Sequence, residues 1–106
     1  MNFKDYRDFT GSSPEKFFKS SLFRSENLLL GLNCLEPGQS QPEHGHTSQD
    51  KFYFVLEGQG EFSVGEESRT LGPDLAAWAP AGLPHGVRNE GDQRLVILVG
   101  IAPAPG

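Results

Sequence analysis

A single cysteine, Cys34, is all the 106-residue sequence offers toward a disulfide, so no bridge can staple the chain internally. It reads instead as a small apolar residue on a strand. Nor is there an excess of basic residues. Nine Lys and Arg stand against fourteen Asp and Glu, for a formal charge of −5. The basic residues are scattered, whereas phosphate neutralisation needs them clustered, so nucleic acid is not an expected partner. No apolar run approaches the ~18 residues of a membrane span. Met1 to Asp8 is polar and charged, without the apolar segment of a secretory signal. The expectation is no membrane and a cytoplasmic location. Hydrophobic residues reach only 36%. A chain this short buries about 60–65% of its unfolded surface, so a homodimer or a bound metal is expected to add stability.

Turn-formers are abundant: thirteen glycines and eight prolines. They divide the sequence into short apolar stretches, the pattern of an all-β fold. Residues 1–15 read as an N-terminal arm, carrying the turn chemistry of Thr10-Gly11-Ser12-Ser13-Pro14, and 16–106 as one β-barrel domain. Strands are expected at Lys16–Arg24, Leu28–Leu35, Lys51–Glu57, Glu61–Val64, Ser68–Leu71, Leu75–Ala79, Gly86–Arg88 and Arg94–Ile101. Gly58-Gln59-Gly60 reads as a hairpin turn, and Asn89-Glu90-Gly91-Asp92 as a loop of hairpin character. The last strand, RLVILVGI, is apolar on both faces. One face belongs to the barrel interior and the other to something outside, for which a second subunit is the candidate.

All three histidines fall in turn-rich segments. His44 and His46 are two residues apart, a spacing that sets side chains on one face of an extended backbone. Two imidazoles so placed can converge on one ion at about 2.0–2.2 Å. A His-x-His pair alone is more often unliganded than not; the framework around it is more specific. Gly38 is followed after five residues by His44-x-His46, after four by Lys51 and after six by Gly58. Later come Pro80-x-Gly82-x-x-His85-x-x-x-Asn89.

These two stretches resemble the paired motifs of the cupin family, with FYFVLEGQGEF and WAPAGLPHGVRN the most similar pieces. The resemblance covers residues 38–89. It implies a double-stranded β-helix, or jelly-roll, barrel with one divalent metal ion (Fe, Mn, Ni or Zn) held by His44, His46 and His85. Two positions depart from the family pattern. Lys51 stands where the family has a metal-binding glutamate, and an ammonium has donors but no lone pair. Three neutral histidines leave the ion its full charge, which suits an anionic guest. Gln49 or Asp50 can restore the ligand count. Asp50 beside Lys51 reads as a surface ion pair, which leaves Gln49 as the preferred fourth ligand. The second departure is Asp74, where the family's second motif opens with glycine; it is expected to alter a turn.

Around the motifs, Phe52, Tyr53, Phe54, Phe62 and Trp78 read mainly as core or dimer contacts. Tyr53 and Trp78 are also candidates to line a ligand pocket with Lys51. Arg88 is a candidate clamp for a carboxylate, since guanidinium binds it bidentately; an exposed strand-face arginine is the plainer reading. Two function classes follow. One is a metal-dependent enzyme, dioxygenase- or isomerase-like, acting on a small, anionic molecule. The other is a non-catalytic small-molecule-binding module.

Overall fold

The computed structural model describes residues 2–44 and 48–106, and of His44 the backbone. Nine strands run through the described residues: β1 (Phe18–Arg24), β2 (Leu29–Leu35), β3 (Ser40–His44), β4 (Asp50–Glu57), β5 (Gly60–Val64), β6 (Glu67–Leu71), β7 (Ala76–Ala79), β8 (His85–Arg88) and β9 (Leu95–Ala102). They form two antiparallel sheets, ordered β1-β2-β9-β4-β7 and β3-β8-β5-β6. Among the described residues no helix is long and apolar enough to cross a membrane.

Alternation along β4 builds the interior. Lys51, Tyr53 and Val55 are buried while Asp50 is exposed and Phe52 and Phe54 are half-covered. Tyr53 and Val55 join Leu35, Phe62, Leu71, Ala79, Val87, Leu95, Ile97 and Val99 in the core between the sheets. Each of the valine, leucine, isoleucine and phenylalanine side chains among them contributes about 1.5–3 kcal/mol by leaving water.

Two turns differ from the expectation. β4 and β5 lie in different sheets, as do β8 and β9, so Gly58–Gly60 and Asn89–Asp92 turn the corner between sheets and close no hairpin. The corner at Gly58 demands glycine: its φ is +76°, and a Cβ there would stand 2.3 Å from the Arg94 carbonyl oxygen. The tight hairpin lies one connection later, where Val64 pairs with Glu67. β3, a polar strand carrying Pro42, was not expected from the sequence. Asp74 does sit in a special turn, with φ at +73°.

The outer face of β9 is covered by the chain itself. Val96 packs with Leu22, Leu32 and Cys34, and with Tyr6, Phe9, Phe18, Phe23, Leu56 and Leu98 around them. Within the single chain, the arm and β1 supply cover for this outer face. Tyr6–Phe9 forms a 3₁₀ turn there. The pairing of β1 with β2 slips between Ser21 and Phe23, a β-bulge. Leu22 and Phe23 thereby both reach the outer cluster. Lys4 of the arm secures the bulge: Nζ donates to the Leu22 carbonyl at 2.7 Å and lies 4.9 Å from the Phe23 ring centre.

Candidate functional site

Antiparallel register brings the distant histidine motifs together. Ser40 pairs with Arg88, Gln41 with Val87 and His44 with His85, so the backbones of His44 and His85 lie directly opposite on neighbouring strands. His46 and the side chain of His44 lie outside the described residues.

His85 is 1% exposed. Its Nδ1 lies 3.0 Å from the Leu83 carbonyl oxygen. A carbonyl only accepts, so Nδ1 carries the proton and Nε2 holds the lone pair of the neutral ring. Nε2 is itself buried. A backbone carbonyl fixing one ring nitrogen so that the other can ligate is the support that metal-binding imidazoles use. The donor chemistry of His85 therefore fits a metal. Among the described residues alone, no three His, Cys, Asp or Glu converge on one point.

Asn89, fully buried, braces this region. Its amide donates to the carbonyls of Leu35 and Gln93, both at 2.9 Å, and its Oδ1 accepts from the Gly91 amide. Its backbone exchanges bonds with Gly38 and Gln39 at the entry to β3. The motif asparagine thus ties the start of β3 to the end of β8, the two strands that carry His44 and His85.

Lys51 points inward. It is 7% exposed, and Nζ lies 4.8 Å from the centre of the Tyr53 ring. Burial, with a contribution from nearby Lys19, pulls its pKa down to about 8. The expected surface ion pair with Asp50 does not form. Alternation turns Asp50 outward, where Oδ1 accepts from the Ala81 amide at 2.9 Å. Gln49 Nε2 donates to the Pro103 carbonyl at 3.1 Å. Tyr53 is fully buried between Phe62 and His85, with ring centres 5.3 and 6.1 Å away. Its hydroxyl donates to Gln41 Oε1 at 2.8 Å, and burial raises its pKa well above the usual phenol value.

The other two candidates face away from the interior. Arg88 follows inward-facing Val87 and is exposed, paired with Glu61 and Glu90 at 3.2 Å each. Trp78 is 58% exposed and sits opposite Phe52, whose side chain lies on the outer face of β4. The sequence reading missed a cavity of about 370 Å³ beside Lys51, with Lys19, Arg24, Asn33 and Gln41 on its walls and Val99 and Ile101 among its apolar residues. Phe18-Lys19-Ser20-Ser21-Leu22 has no polar–apolar alternation that would have marked Lys19, and Arg24 falls out of step with Lys19 because of the bulge.

Comparison with known proteins agrees with this architecture. The crystal structure of TT1209 from Thermus thermophilus superposes with a TM-score of 0.94 at 47% identity, covering 99% of this chain and 100% of that one. The polyketide synthase CurC of Streptomyces cyaneus is 30% identical over 74 residues, 70% of this chain and 48% of CurC. The chain thus spans about half the length of that relative. Dimethylsulfoniopropionate lyase DddQ of Ruegeria pomeroyi is 34% identical over 68 residues, 63% of this chain and 33% of the lyase. Residues 31–101 match the family model of the cupin domain. On the two-sheet barrel and this match, the chain belongs to the cupin family.

Proposed function

We propose that this cupin is a metal-dependent enzyme acting on a small molecule inside its barrel, with His44, His46 and His85 holding one divalent ion. The observation that carries the reading is the buried His85 ring, whose Nδ1 lies 3.0 Å from the Leu83 carbonyl oxygen, the tautomer in which a neutral imidazole ligates through Nε2. The strand register that sets His44 opposite His85 supports it. So does the similarity to a lyase of a small molecule. When bound, the ion supplies Lewis acidity and open coordination positions. The chain's own residues do the rest: Tyr53 and Phe62 form a dry floor beside His85. Gln41 is held by the Tyr53 hydroxyl, and Lys51 brings a cation to the place where the family motif has a glutamate.

A second reading, a binding module without turnover, is favoured by one feature. Among the described residues, the walls of the cavity beside Lys51 hold no carboxylate that could serve as a general base. Metal analysis of the purified protein tests the first part of the proposal. About one ion per chain is expected in the wild type, with loss in His44→Ala and His85→Ala; equal, negligible metal in all three rejects the site. Fe(II)-loaded protein, screened anaerobically and then with dioxygen against small acids, thiols and phenols, separates the classes. Oxygen uptake or product formation supports the enzyme, and ligand binding without either supports the module.

A further inference from the structure

The bulge in β1 redirects side chains on the inner face of the sheet. Before it, Lys19 stands opposite Asn33 and Ser21 opposite Gly31; after it, Arg24 stands opposite Leu29. An unbroken strand would send residues 19, 21 and 23 one way and residue 24 the other. The extra residue restores Arg24 to the side of Lys19. Leu29 in turn pairs with Ile101, and Ile101 with Lys51. Arg24, Leu29, Ile101 and Lys51 therefore form one row across four strands, with two cations at its ends and an apolar stretch between.

That row lines the cavity of about 370 Å³, along with Lys19, Asn33, Gln41 and Val99. Among the described residues, three cations and no carboxylate line it, in a chain whose net charge is −5. None of the three joins an ion pair among the described residues. Lys51 is more than nine-tenths buried, its recorded neighbour being the Tyr53 ring. Gln41 presents its carbonyl to Tyr53, which leaves its amide hydrogens as further donors. Arg24 donates to the Pro105 carbonyl, which anchors the guanidinium at the rim. The volume lies at the small end of the ~300–1,000 Å³ range of ligand pockets.

We infer that this cavity binds a small organic carboxylate, its carboxyl group held at the end where Lys51 and Lys19 lie near each other, its short aliphatic body against Leu29, Val99 and Ile101, and Arg24 at the far end of the row to draw it in or to receive a second carboxyl group. The apolar row between the charges is what selects a carboxylate on a hydrocarbon body over a bare inorganic anion. Guanidinium and ammonium groups supply charge-assisted hydrogen bonds that a neutral amide cannot draw on equally. The inference rests on the reading of the barrel as a small-molecule site, but not on the metal.

Isothermal titration calorimetry of the whole chain, kept metal-free with a chelator, tests it using isovalerate, glutarate, isovaleramide and inorganic phosphate. At least one of the two carboxylates is expected to bind once per chain, with isovaleramide and phosphate at least about tenfold weaker. Lys19→Gln and Arg24→Gln, both at exposed positions, are each expected to weaken carboxylate binding about tenfold while leaving thermal stability in place. Binding of neither carboxylate, equal binding of isovalerate and isovaleramide, phosphate binding as tight as the carboxylates, or wild-type affinity in both variants overturns the assignment. Metal content separates the two readings. Lys19→Gln and Arg24→Gln are expected to load metal like the wild type, and His85→Ala to lose metal yet keep carboxylate binding. Loss of carboxylate binding in His85→Ala that retains its fold overturns the independence claimed here.

Discussion

Replacing Lys51 with methionine keeps an unbranched side chain one atom shorter and removes its charge, so it measures what that charge costs the fold. The ordinary lysine pKa is 10.5 and burial brings it to about 8 in the folded chain. Between those values the unfolded chain holds a proton that the folded one has released. Stability therefore rises with pH across that window and is flat below it. At about 1.4 kcal/mol per pH unit, the gap amounts to about 3 kcal/mol, carried as a penalty at pH 7 and relieved near pH 10.5. Urea denaturation of metal-free protein, wild type against Lys51→Met, reads this directly. The variant is expected to be the more stable at pH 7, and its advantage to shrink by about 3 kcal/mol as the pH is raised to 10.5. The neighbouring Tyr53 phenol, whose pKa burial raises, is present in both proteins, so its contribution cancels in the difference. A stability difference that stays constant from pH 7 to 10.5 would refute the reasoning, because a solvated ammonium at this position would have no folded-state shift to lose.

Asn89→Ala removes the donor from two carbonyls, those of Leu35 and Gln93, and is expected to cost about 3 kcal/mol in urea denaturation. Gly58→Ala forces a side chain into a left-handed φ and against the Arg94 carbonyl; a loss of at least about 2 kcal/mol is expected from thermal unfolding. Arg88→Ala breaks two exposed ion pairs on the outer wall. It is expected to change stability by less than about 1 kcal/mol and to leave metal content and carboxylate affinity as in the wild type.

Much of the architecture was legible because the strands advertise themselves. KFYFVLE and RLVILVGI could hardly be anything else, and the glycines and prolines marked their ends. The partners of those strands were less legible. Gly58-Gln59-Gly60 has the composition of a hairpin, yet the close approach of Arg94 makes it a corner between sheets, and nothing local distinguishes the two. β3 escaped notice because SQPEH carries no apolar pattern; it is held by pairing with β8 and contributes Gln41 to the interior. The cover over β9 was legible as a need and not as a source, since the arm supplies it through scattered aromatics such as Tyr6, Phe9 and Phe18. At the site, the motif spacing located His85 and singled out Lys51 as a departure. The inward turn of Arg24 depends on a slipped register, which no periodicity in the sequence encodes.

The contact between Lys4 and the Leu22 carbonyl gives the arm an influence beyond the surface it covers. An unclamped strand could straighten, and straightening would exchange a guanidinium for the Phe23 benzyl group on the wall opposite Lys51. Trimming a handful of residues at the front of the chain, none of which touches the cavity, would then be felt as a change in which guests the barrel accepts.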